Sequence, residues 1–212
     1  MLKVQSFTFN PFSENTYLVY NEQGDGIIFD PGTYSAYDEQ ELSDFISSNN
    51  INPRYLINTH CHIDHIFGNT YIAEKYQLEL YAHINEVKIL EMGASSAAMY
   101  GLQYYPSVKI VNFIDEKDMI ILGKDQFKIL FTPGHSPGSL SFYNAEAGFV
   151  ISGDVLFQGS IGRSDLPGGN HEVLLSSIRT ELFTLPESTI VYSGHGAPTD
   201  IGTEKRFNPF FN

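Results

Sequence analysis

The stretch Thr59-His60-Cys61-His62-Ile63-Asp64-His65 constrains this chain more than any other feature of its sequence. It places three histidines and one aspartate within six residues, directly after the apolar run Tyr55-Leu56-Ile57-Asn58, which predicts a buried strand. A rigid strand that ends in a loop lets closely spaced side chains turn toward one point. Neutral imidazole nitrogens and carboxylate oxygens are ligands that zinc accepts, and they also suit iron and manganese. The stretch therefore predicts a metal site.

Composition restricts the partners and the cellular location that we expect. The chain has 212 residues, of which 42% are apolar, and its net charge is −13, which disfavours nucleic acid as a partner. No apolar stretch approaches the length that spans a bilayer, and the N-terminus lacks the pattern of a signal peptide, so we expect no membrane partner. The single cysteine, Cys61, excludes an internal disulfide and agrees with the cytoplasmic location that we expect.

The order of apolar patterns predicts one domain over residues 1–212, with two β-rich halves packed together and helices outside. In the first half, strands are expected at 2–9, 15–20, 26–29, 55–59 and 78–82, and helices at 38–48, 64–74 and 85–98. In the second half, strands are expected at 108–114, 119–122, 127–131, 139–143, 149–152 and 190–192, and a helix at 173–185. A helix end and long loop at 92–106, rich in Met, Ala, Gly and Tyr, is expected beside the metal site.

Three more loops repeat the pattern of a buried strand followed by small residues and a possible ligand. They carry His135 in Pro133-Gly134-His135-Ser136, Asp154 in Ser152-Gly153-Asp154, and His195 in Ser193-Gly194-His195-Gly196. Small neighbours allow side chains and backbone to approach a crowded centre. With the first motif, the total is five histidines and two aspartates. That number exceeds the needs of one four-coordinate zinc and matches two metals that share a carboxylate.

Four other residues have ligand chemistry but are expected to be structural. Asp30 ends a strand and is expected to support a turn or a ligand rather than bind metal. His83 ends a strand without glycine neighbours, and His171 precedes a helix, where we expect it near the cap. Cys61 lies between two ligands that face one way, so we expect its side chain to point elsewhere and to pack.

The motif His60-x-His62-x-Asp64-His65, followed by His135, Asp154 and His195, resembles the metallo-β-lactamase superfamily over nearly the whole chain. The resemblance implies an α+β fold, an αββα sandwich in which two mixed β-sheets pack face to face with helices outside. It also implies a first metal held by His60, His62 and His135, and a second held by Asp64, His65 and His195, with Asp154 bridging. Asp64 and Asp154 become the candidate catalytic carboxylates.

Segments 162–169, 194–199 and 201–210 are similar to short bacterial proteins of the glyoxalase II type, which are hydroxyacylglutathione hydrolase-like. Glyoxalase II proper adds a C-terminal helical domain that contacts glutathione, and we expect this chain to lack it. The resemblance implies a metallo-hydrolase with two divalent ions, zinc before iron or manganese. Its substrate would be a small-molecule thioester, that is, an S-acyl thiol, although glutathione dependence is left open. A metal-bound hydroxide would attack the carbonyl carbon, and the thiolate would leave without a strong acid.

Substrate contacts are less constrained by the sequence than the metal ligands are. Arg163 is a candidate to meet an anionic group, because a guanidinium pairs with a carboxylate, and its alternative is an ion pair with Asp165. Tyr104 and Tyr105, together with Tyr100, are candidates for a pocket wall, and their alternative is packing within a surface loop.

Other functions remain open at this point. A persulfide dioxygenase of the same fold would use a single iron, held by His60 or His62 with His135 and Asp154. A lactonase or β-lactamase would cleave cyclic esters or amides, and the acidity of the chain weighs against an RNA-processing role. A non-catalytic metal site is disfavoured because structural zinc sites are closed and rich in thiolates. The oligomeric state is left open.

Overall fold

Two six-stranded β-sheets form the centre of the computed structural model, which describes residues 2–211. The first sheet contains, in spatial order, β1 (Lys3–Phe9), β2 (Glu14–Tyr20), β3 (Asp25–Phe29), β4 (Asn52–Ile57), β5 (Leu80–Ala82) and β6 (Ile110–Phe113). The second contains β7 (Met119–Leu122), β8 (Asp125–Phe131), β9 (Leu140–Asn144), β10 (Phe149–Gly153), β13 (Ile190–Ser193) and β14 (Thr199–Asp200). A short hairpin of β11 (Leu156–Phe157) and β12 (Ser160–Ile161) lies between β10 and β13 in the chain.

Both sheets are mixed, as predicted. In the first sheet β1, β2 and β3 are antiparallel neighbours, whereas β3, β4, β5 and β6 run parallel. In the second, β7 to β10 are antiparallel neighbours, β10 pairs with β13 in parallel, and β14 closes the edge antiparallel to β13. The carboxyl ends of parallel strands meet at one edge of a sheet, so β10 and β13 bring the loops after them to the same place.

Helices cover the outer face of each sheet. The first sheet is covered by α1 (Ala36–Ser48), α2 (Ile63–Ile66), α3 (Asn69–Tyr76), α4 (Val87–Glu91) and α5 (Gly93–Met99), with a 3-10 turn at Ile84–Glu86 before α4. The second sheet is covered by α6 (His171–Thr180), a 3-10 turn at Leu182–Thr184, and α7 (Ile201–Phe207). No helix within residues 2–211 has the length and apolar character to cross a membrane.

Alternation along the strands explains why the sheets have apolar residues on both faces. In β3, Ile28 faces the helices, whereas Ile27 and Phe29 face the second sheet, and all three are fully buried. The ring of Phe29 lies 5.0 Å from that of Phe142 on β9, measured between centroids, so the two sheets interlock there. A helix layer, two sheets and a second helix layer follow in order, which is the αββα sandwich that the resemblance implied.

Three predicted helices are interrupted or shorter than expected. The helix predicted at 64–74 is split into α2 and α3, because the N–H of Gly68 donates to the carbonyl of Pro31 at 2.7 Å. A Cβ at Gly68 would lie 2.2 Å from Thr33 Oγ1, so the close approach requires glycine. The helix predicted at 85–98 is a 3-10 turn followed by α4 and α5, and the one at 173–185 ends at Thr180. Helix α7, which begins after the Asp200 cap, was not predicted.

Candidate metal centre

Asp30 supports the loop that follows β4 by accepting hydrogen bonds from Thr59. The Oδ1 atom of Asp30 accepts a hydrogen bond from the backbone N–H of Thr59 at 2.7 Å, and Oδ2 accepts from Thr59 Oγ1 at 2.6 Å. Asp30 has a φ of +48°, a left-handed conformation that turns the chain after β3 toward this loop. Asn58 adds a hydrogen bond of 2.9 Å to the carbonyl of His65. The ligand-bearing loop is therefore fixed at both of its ends.

Three imidazoles meet at the first part of the centre. His135 Nε2 lies 2.8 Å from His62 Nδ1 and 3.1 Å from His60 Nε2. His135 Nδ1 faces the carbonyl oxygen of Arg163 at 2.7 Å, and a carbonyl only accepts, so we assign the proton to Nδ1 and a free lone pair to Nε2. His60 Nδ1 lies 3.1 Å from Thr59 Oγ1, whose own proton goes to Asp30, so His60 Nε2 also carries a lone pair. A cation between lone pairs this close would remove their mutual repulsion.

Two histidines and an aspartate form the second part of the centre. His195 Nε2 lies 3.1 Å from Asp64 Oδ2, and His65 Nε2 lies 3.7 Å from the same oxygen. His195 Nδ1 faces the carbonyl of Phe12 at 3.1 Å, and His65 Nδ1 lies 3.2 Å from Asp30 Oδ2. His195 Nδ1 thus has a carbonyl acceptor, and His65 Nδ1 lies beside a carboxylate without hydrogen-bond geometry, so Nε2 of each ring is the nitrogen aimed at the centre.

Asp154 lies between the two parts. Its Oδ2 atom is 3.5 Å from His135 Nε2 and 3.4 Å from His195 Nε2, and its Oδ1 atom is 3.5 Å from His65 Nε2. A Cβ at Gly194 would lie only 2.1 Å from Asp154 Oδ1, so the residue before His195 has room for no side chain. The seven residues that the sequence singled out as ligands are thus brought together around one carboxylate.

The pKa values of the histidines are shifted in opposite directions in the two parts of the centre. Burial lowers the pKa of His60 well below its ordinary value and that of His62 to about 3, and the neighbouring imidazoles lower both further. Burial also opposes protonation of His195, but hydrogen bonds to Asp154 and Asp64 outweigh it and raise the pKa to about 9. Likewise, the two carboxylates raise the pKa of His65 despite its burial. The first part therefore presents neutral ligands, whereas the second holds protons that a cation would replace.

Buried polar atoms without partners test whether metal ions fit this centre. Within residues 2–211, nine buried side-chain nitrogen or oxygen atoms have no hydrogen-bond partner, and five of them belong to the centre and its support. These five are Glu14 Oε1, His62 Nε2, Asp154 Oδ1 and both ring nitrogens of His65. Unpaired buried polar atoms are costly and rare. Two of these five, His65 Nε2 and Asp154 Oδ1, face the centre 3.5 Å apart, where a cation would give both of them a partner. Imidazole and carboxylate without thiolate form a donor set that fits divalent zinc, iron or manganese.

Two buried carboxylates at the centre were not predicted from the sequence. Glu86 is fully buried and accepts hydrogen bonds from Cys61 N at 2.7 Å and from Ser136 Oγ and Gly138 N at 2.6 Å each. Glu14 is also fully buried, and its Oε1 atom lies 3.8 Å from His65 Nδ1. Neither has a local signal, because a glutamate within a helix-like stretch or at a strand start resembles an exposed one.

A cavity of about 430 Å³ lies directly over the centre. Its floor includes the ligands His62, Asp64, His135, Asp154 and His195. Its walls are mostly apolar and come from Phe12, Ile63, Ile89, Met92, Met99, Tyr100, Phe157, Leu166 and Pro167. An apolar cavity with a few convergent polar groups is typical of a small-molecule site.

Some of the residues predicted to contact substrate line the cavity, and others do not. Arg163 lines the cavity and makes a bidentate ion pair with Asp165, with N–O distances of 2.7 and 2.9 Å. Tyr100 lines the cavity too, but Tyr104 and Tyr105 do not. Tyr104 turns inward, packs against the core beside α5 and accepts a hydrogen bond from Ser107 N, whereas Tyr105 is 79% exposed. Of the three candidate tyrosines, Tyr100 lines the cavity, whereas the expectation for Tyr104 and Tyr105 is corrected.

The residues expected to be structural lie outside the ligand set. Cys61 is 1% exposed and packs in the core between the first sheet and its helices, where burial raises the pKa of its thiol. His83 accepts a hydrogen bond from Asn85 N and stacks on Phe131, and His171 is the first residue of α6.

Known proteins resemble this chain over its whole length. A family profile described as the metallo-beta-lactamase superfamily matches residues 9–195. The chain is 38% identical to the probable metallo-hydrolase YqgX of Bacillus subtilis, with 100% of this chain and 98% of YqgX covered. It is 34% identical to the hydroxyacylglutathione hydrolase GloC of Haemophilus influenzae, with 100% of this chain and 99% of GloC covered.

Solved structures agree with this likeness. The crystal structure of the B3 metallo-β-lactamase BLEG-1 has a TM-score of 0.91 and 36% identity, with 100% of both chains covered. TTHA1623 in a di-iron-bound form has a TM-score of 0.88 and 35% identity, with 98% of this chain and 100% of that one covered. ETHE1 from Myxococcus xanthus has a TM-score of 0.80 and 25% identity, with 98% and 83% covered. Because the profile spans most of the chain and the relatives match it from end to end, this chain belongs to the metallo-β-lactamase superfamily.

Proposed function

We propose that this chain is a binuclear metal-dependent hydrolase that cleaves thioesters, as enzymes of the glyoxalase II type do. The observation that carries the proposal is the position of Asp154, whose two oxygens lie between a three-histidine cluster and a cluster of two histidines and Asp64. A single metal ion would leave the buried donors of the other cluster without a partner. The relatives support the reaction class, because one is named a metallo-hydrolase and another a hydroxyacylglutathione hydrolase.

Each cluster would hold one divalent ion. His60, His62 and His135 would hold the first, Asp64, His65 and His195 the second, and Asp154 would contact both. Zinc is the first choice for this donor set, and iron is a strong second because a 35% identical structure is described as di-iron-bound. When bound, such ions lower the pKa of a water toward ~7 and polarise a carbonyl oxygen.

The side chains themselves would orient the reactants. Asp64 Oδ2 and Asp154 Oδ2 both lie within 3.4 Å of His195 Nε2, so two carboxylates face the same small volume at the floor of the cavity. There they would accept hydrogen bonds from an attacking water, and Asp64 Oδ2 would take up a proton. The apolar walls of Met92, Tyr100 and Phe157 would exclude bulk water. A thiolate leaves readily near neutral pH, since an ordinary thiol has a pKa of about 8.5, so the reaction needs no strong general acid.

Two alternatives draw on the same residues. In a mononuclear iron persulfide dioxygenase, His135 and Asp154 with one of His60 and His62 would hold the iron, and His135 is close to all three. In a lactonase or β-lactamase, the same two metals would act on a cyclic ester or amide, and the likeness to BLEG-1 keeps this alternative open.

Metal content and substrate range together test the proposal. The protein is purified without added metal, the ions per chain are counted by mass spectrometry, and a panel of substrates is assayed. Two ions per chain with hydrolysis of hydroxyacylglutathione or other thioesters are expected. One iron with oxygen uptake on a glutathione persulfide would replace the proposal with the dioxygenase, and turnover of lactones or β-lactams alone would replace the substrate class.

Some features of the proposal depend on the sequence alone. We propose that the protein acts in the cytoplasm on a small molecule, without nucleic acid or membrane as a partner. We also propose that residues 1–212 act as one catalytic domain.

A further inference from the structure

A second cavity, of about 500 Å³, adjoins the one over the metal centre. Three residues, Ile89, Met92 and Pro167, line both cavities. The rest of the second cavity is lined by Ile84, Asn85, Val87, Lys88, Pro137 and Gly168. The two cavities are thus neighbours that share these three wall residues, and the second lies between the start of α4 and the loop at 166–168.

The walls of this second cavity are apolar. Ile84 is 52% exposed and Met92 is 37% exposed, so both present hydrophobic surface that a ligand could cover. The side-chain amide of Asn85 already donates to the carbonyl of Pro137 at 3.2 Å, and Lys88 is the one charged side chain among the described lining residues. Apart from Asn85 and Lys88, the lining side chains have no nitrogen or oxygen atom with which a peptide-like arm could replace its hydrogen bonds to water.

Met92 stands where the two cavities meet. Methionine is unbranched and has three rotatable side-chain bonds, so it can adapt to chains of different shape at little cost. Its neighbours at the junction, Ile89 and Pro167, carry no hydrogen-bonding side-chain atoms. The wall that the two cavities share therefore presents an apolar surface suited to methylene groups.

We propose that the second cavity binds a medium-length aliphatic chain of the substrate, which deepens and rests on the proposed thioester hydrolysis. The preferred substrate would then be a thioester with an alkyl chain, rather than only a short, polar hydroxyacyl group. Such a chain can be attached on the acyl side or on the thiol side of the scissile bond. The apolar chemistry is shared, and the experiment separates the two sides.

The length of the alkyl chain determines how large an effect on binding affinity we expect. Full burial of one methylene group strengthens binding by about fourfold, and a cavity open to solvent gives less, so we expect about twofold to fourfold per added methylene. The chain lies away from the reacting bond, so KM should fall while kcat stays constant.

Binding is measured first with ligands that cannot be hydrolysed. Thioethers of N-acetylcysteamine with ethyl, butyl, hexyl and octyl groups are titrated into the metal-loaded protein by calorimetry. The variant Ile84→Gln places a polar group in the second cavity. The matched control is Ile121→Gln, because Ile121 on β7 is 51% exposed and lines neither cavity. Affinity should rise with chain length in the wild type and in the control, and the rise should be at least halved in Ile84→Gln.

Hydrolysis then identifies the side that carries the chain. One series varies the acyl group on N-acetylcysteamine, and the other varies the alkyl thiol of acetyl thioesters; the series in which KM falls names the side. Affinity that is independent of chain length, or equal slopes in Ile84→Gln and the control, would overturn the inference even if thioesters are hydrolysed. Chain-length-dependent binding without any thioester hydrolysis would support the cavity and overturn the proposed reaction instead.

Discussion

The carboxylate of Glu86 accepts a 2.7 Å hydrogen bond from the backbone N–H of Cys61, which lies between the proposed ligands His60 and His62. Its other oxygen accepts from Ser136 Oγ and Gly138 N, in the loop that carries His135. One buried side chain that is not itself a ligand therefore joins the two loops of the three-histidine cluster. Supporting residues of this kind commonly set the orientation of ligands and the affinity for metal.

Replacing Glu86 with alanine should weaken both the fold and the first metal site. The change leaves three donors unpaired, at a cost of about 1–3 kcal/mol for each one that water cannot reach. We expect the free energy of unfolding to fall by about 3 kcal/mol or more in urea titrations of the metal-free protein. Metal affinity at the three-histidine cluster should fall by about 10- to 100-fold in competition titrations.

The matched control for this change is Glu91→Ala, an exposed glutamate at the end of α4. It should leave both quantities unchanged. Glu86→Gln keeps one acceptor oxygen and should fall between the two. Wild-type metal affinity in Glu86→Ala, together with the expected loss of stability, would show that the link between the loops does not position the ligands.

That the seven proposed ligands lie together could be predicted from the sequence, and so could a supporting position for Asp30, whereas the buried positions of Glu86 and Glu14 could not. Each proposed ligand follows an apolar strand within a few residues, so local pattern alone indicates its place. Glu86 is 25 residues from Cys61 and 50 from Ser136, and only the packed structure brings these three together. Choosing Tyr100 over Tyr104 likewise depends on the turn after α5, which directs Tyr104 into the core.

Helix boundaries were predicted less well for a similar reason. The break between α2 and α3 depends on contact between Gly68 and the segment after β3, more than thirty residues earlier in the sequence. The spacing of apolar residues within 64–74 does not indicate that contact. The two sheets, in contrast, follow from alternation of apolar residues along each strand, which is a local property.

Asp30→Asn should weaken both metal sites, because Asp30 lies beside His65 of one cluster and, through Thr59 Oγ1, supports His60 of the other. Asp30 accepts two hydrogen bonds from Thr59 and lies 3.2 Å from His65 Nδ1, and an amide can provide only one accepting oxygen for these contacts. Asparagine tolerates the left-handed backbone of this position, so the conformation itself should persist. In stepwise metal titrations, we expect both binding steps to lose about 10- to 100-fold in affinity.

The control for Asp30 is Asp44→Asn, an exposed aspartate on α1. It should bind both ions as the wild type does. Wild-type affinity in both steps for Asp30→Asn would contradict the supporting role of Asp30.

Arg163 should discriminate between anionic and neutral substrates. Its pairing lowers the pKa of Asp165 to about 2, so the carboxylate is ionised and the pair persists at every pH above that value. Arg163→Gln removes the cation but retains the backbone carbonyl that contacts His135 at 2.7 Å, so the metal site should be unaffected. For thioesters that carry a carboxylate, we expect KM to rise by about tenfold at constant kcat.

Asp165→Asn provides the opposite test, because it frees the guanidinium. KM for carboxylate-bearing thioesters should then fall, while KM for neutral thioesters should stay constant in both variants. Parallel changes for neutral and anionic substrates would indicate that the ion pair shapes the loop rather than binding substrate.

Asp154→Asn should remove the carboxylate that lies between the two clusters of the centre. Asp154 is the one proposed ligand that faces both clusters, with Oδ2 3.5 Å from His135 Nε2 and Oδ1 3.5 Å from His65 Nε2. An amide removes the negative charge that would be shared by two dications, so we expect the metal content to fall from two ions per chain to one or none. Loss of several kcal/mol of transition-state stabilisation corresponds to at least about a 100-fold loss of hydrolysis. Metal counting checks the number of ions per chain, and thioester assays check the loss of hydrolysis. Asp44→Asn is the control for both. Full metal content together with full hydrolysis in Asp154→Asn would contradict the bridging role on which the binuclear proposal depends.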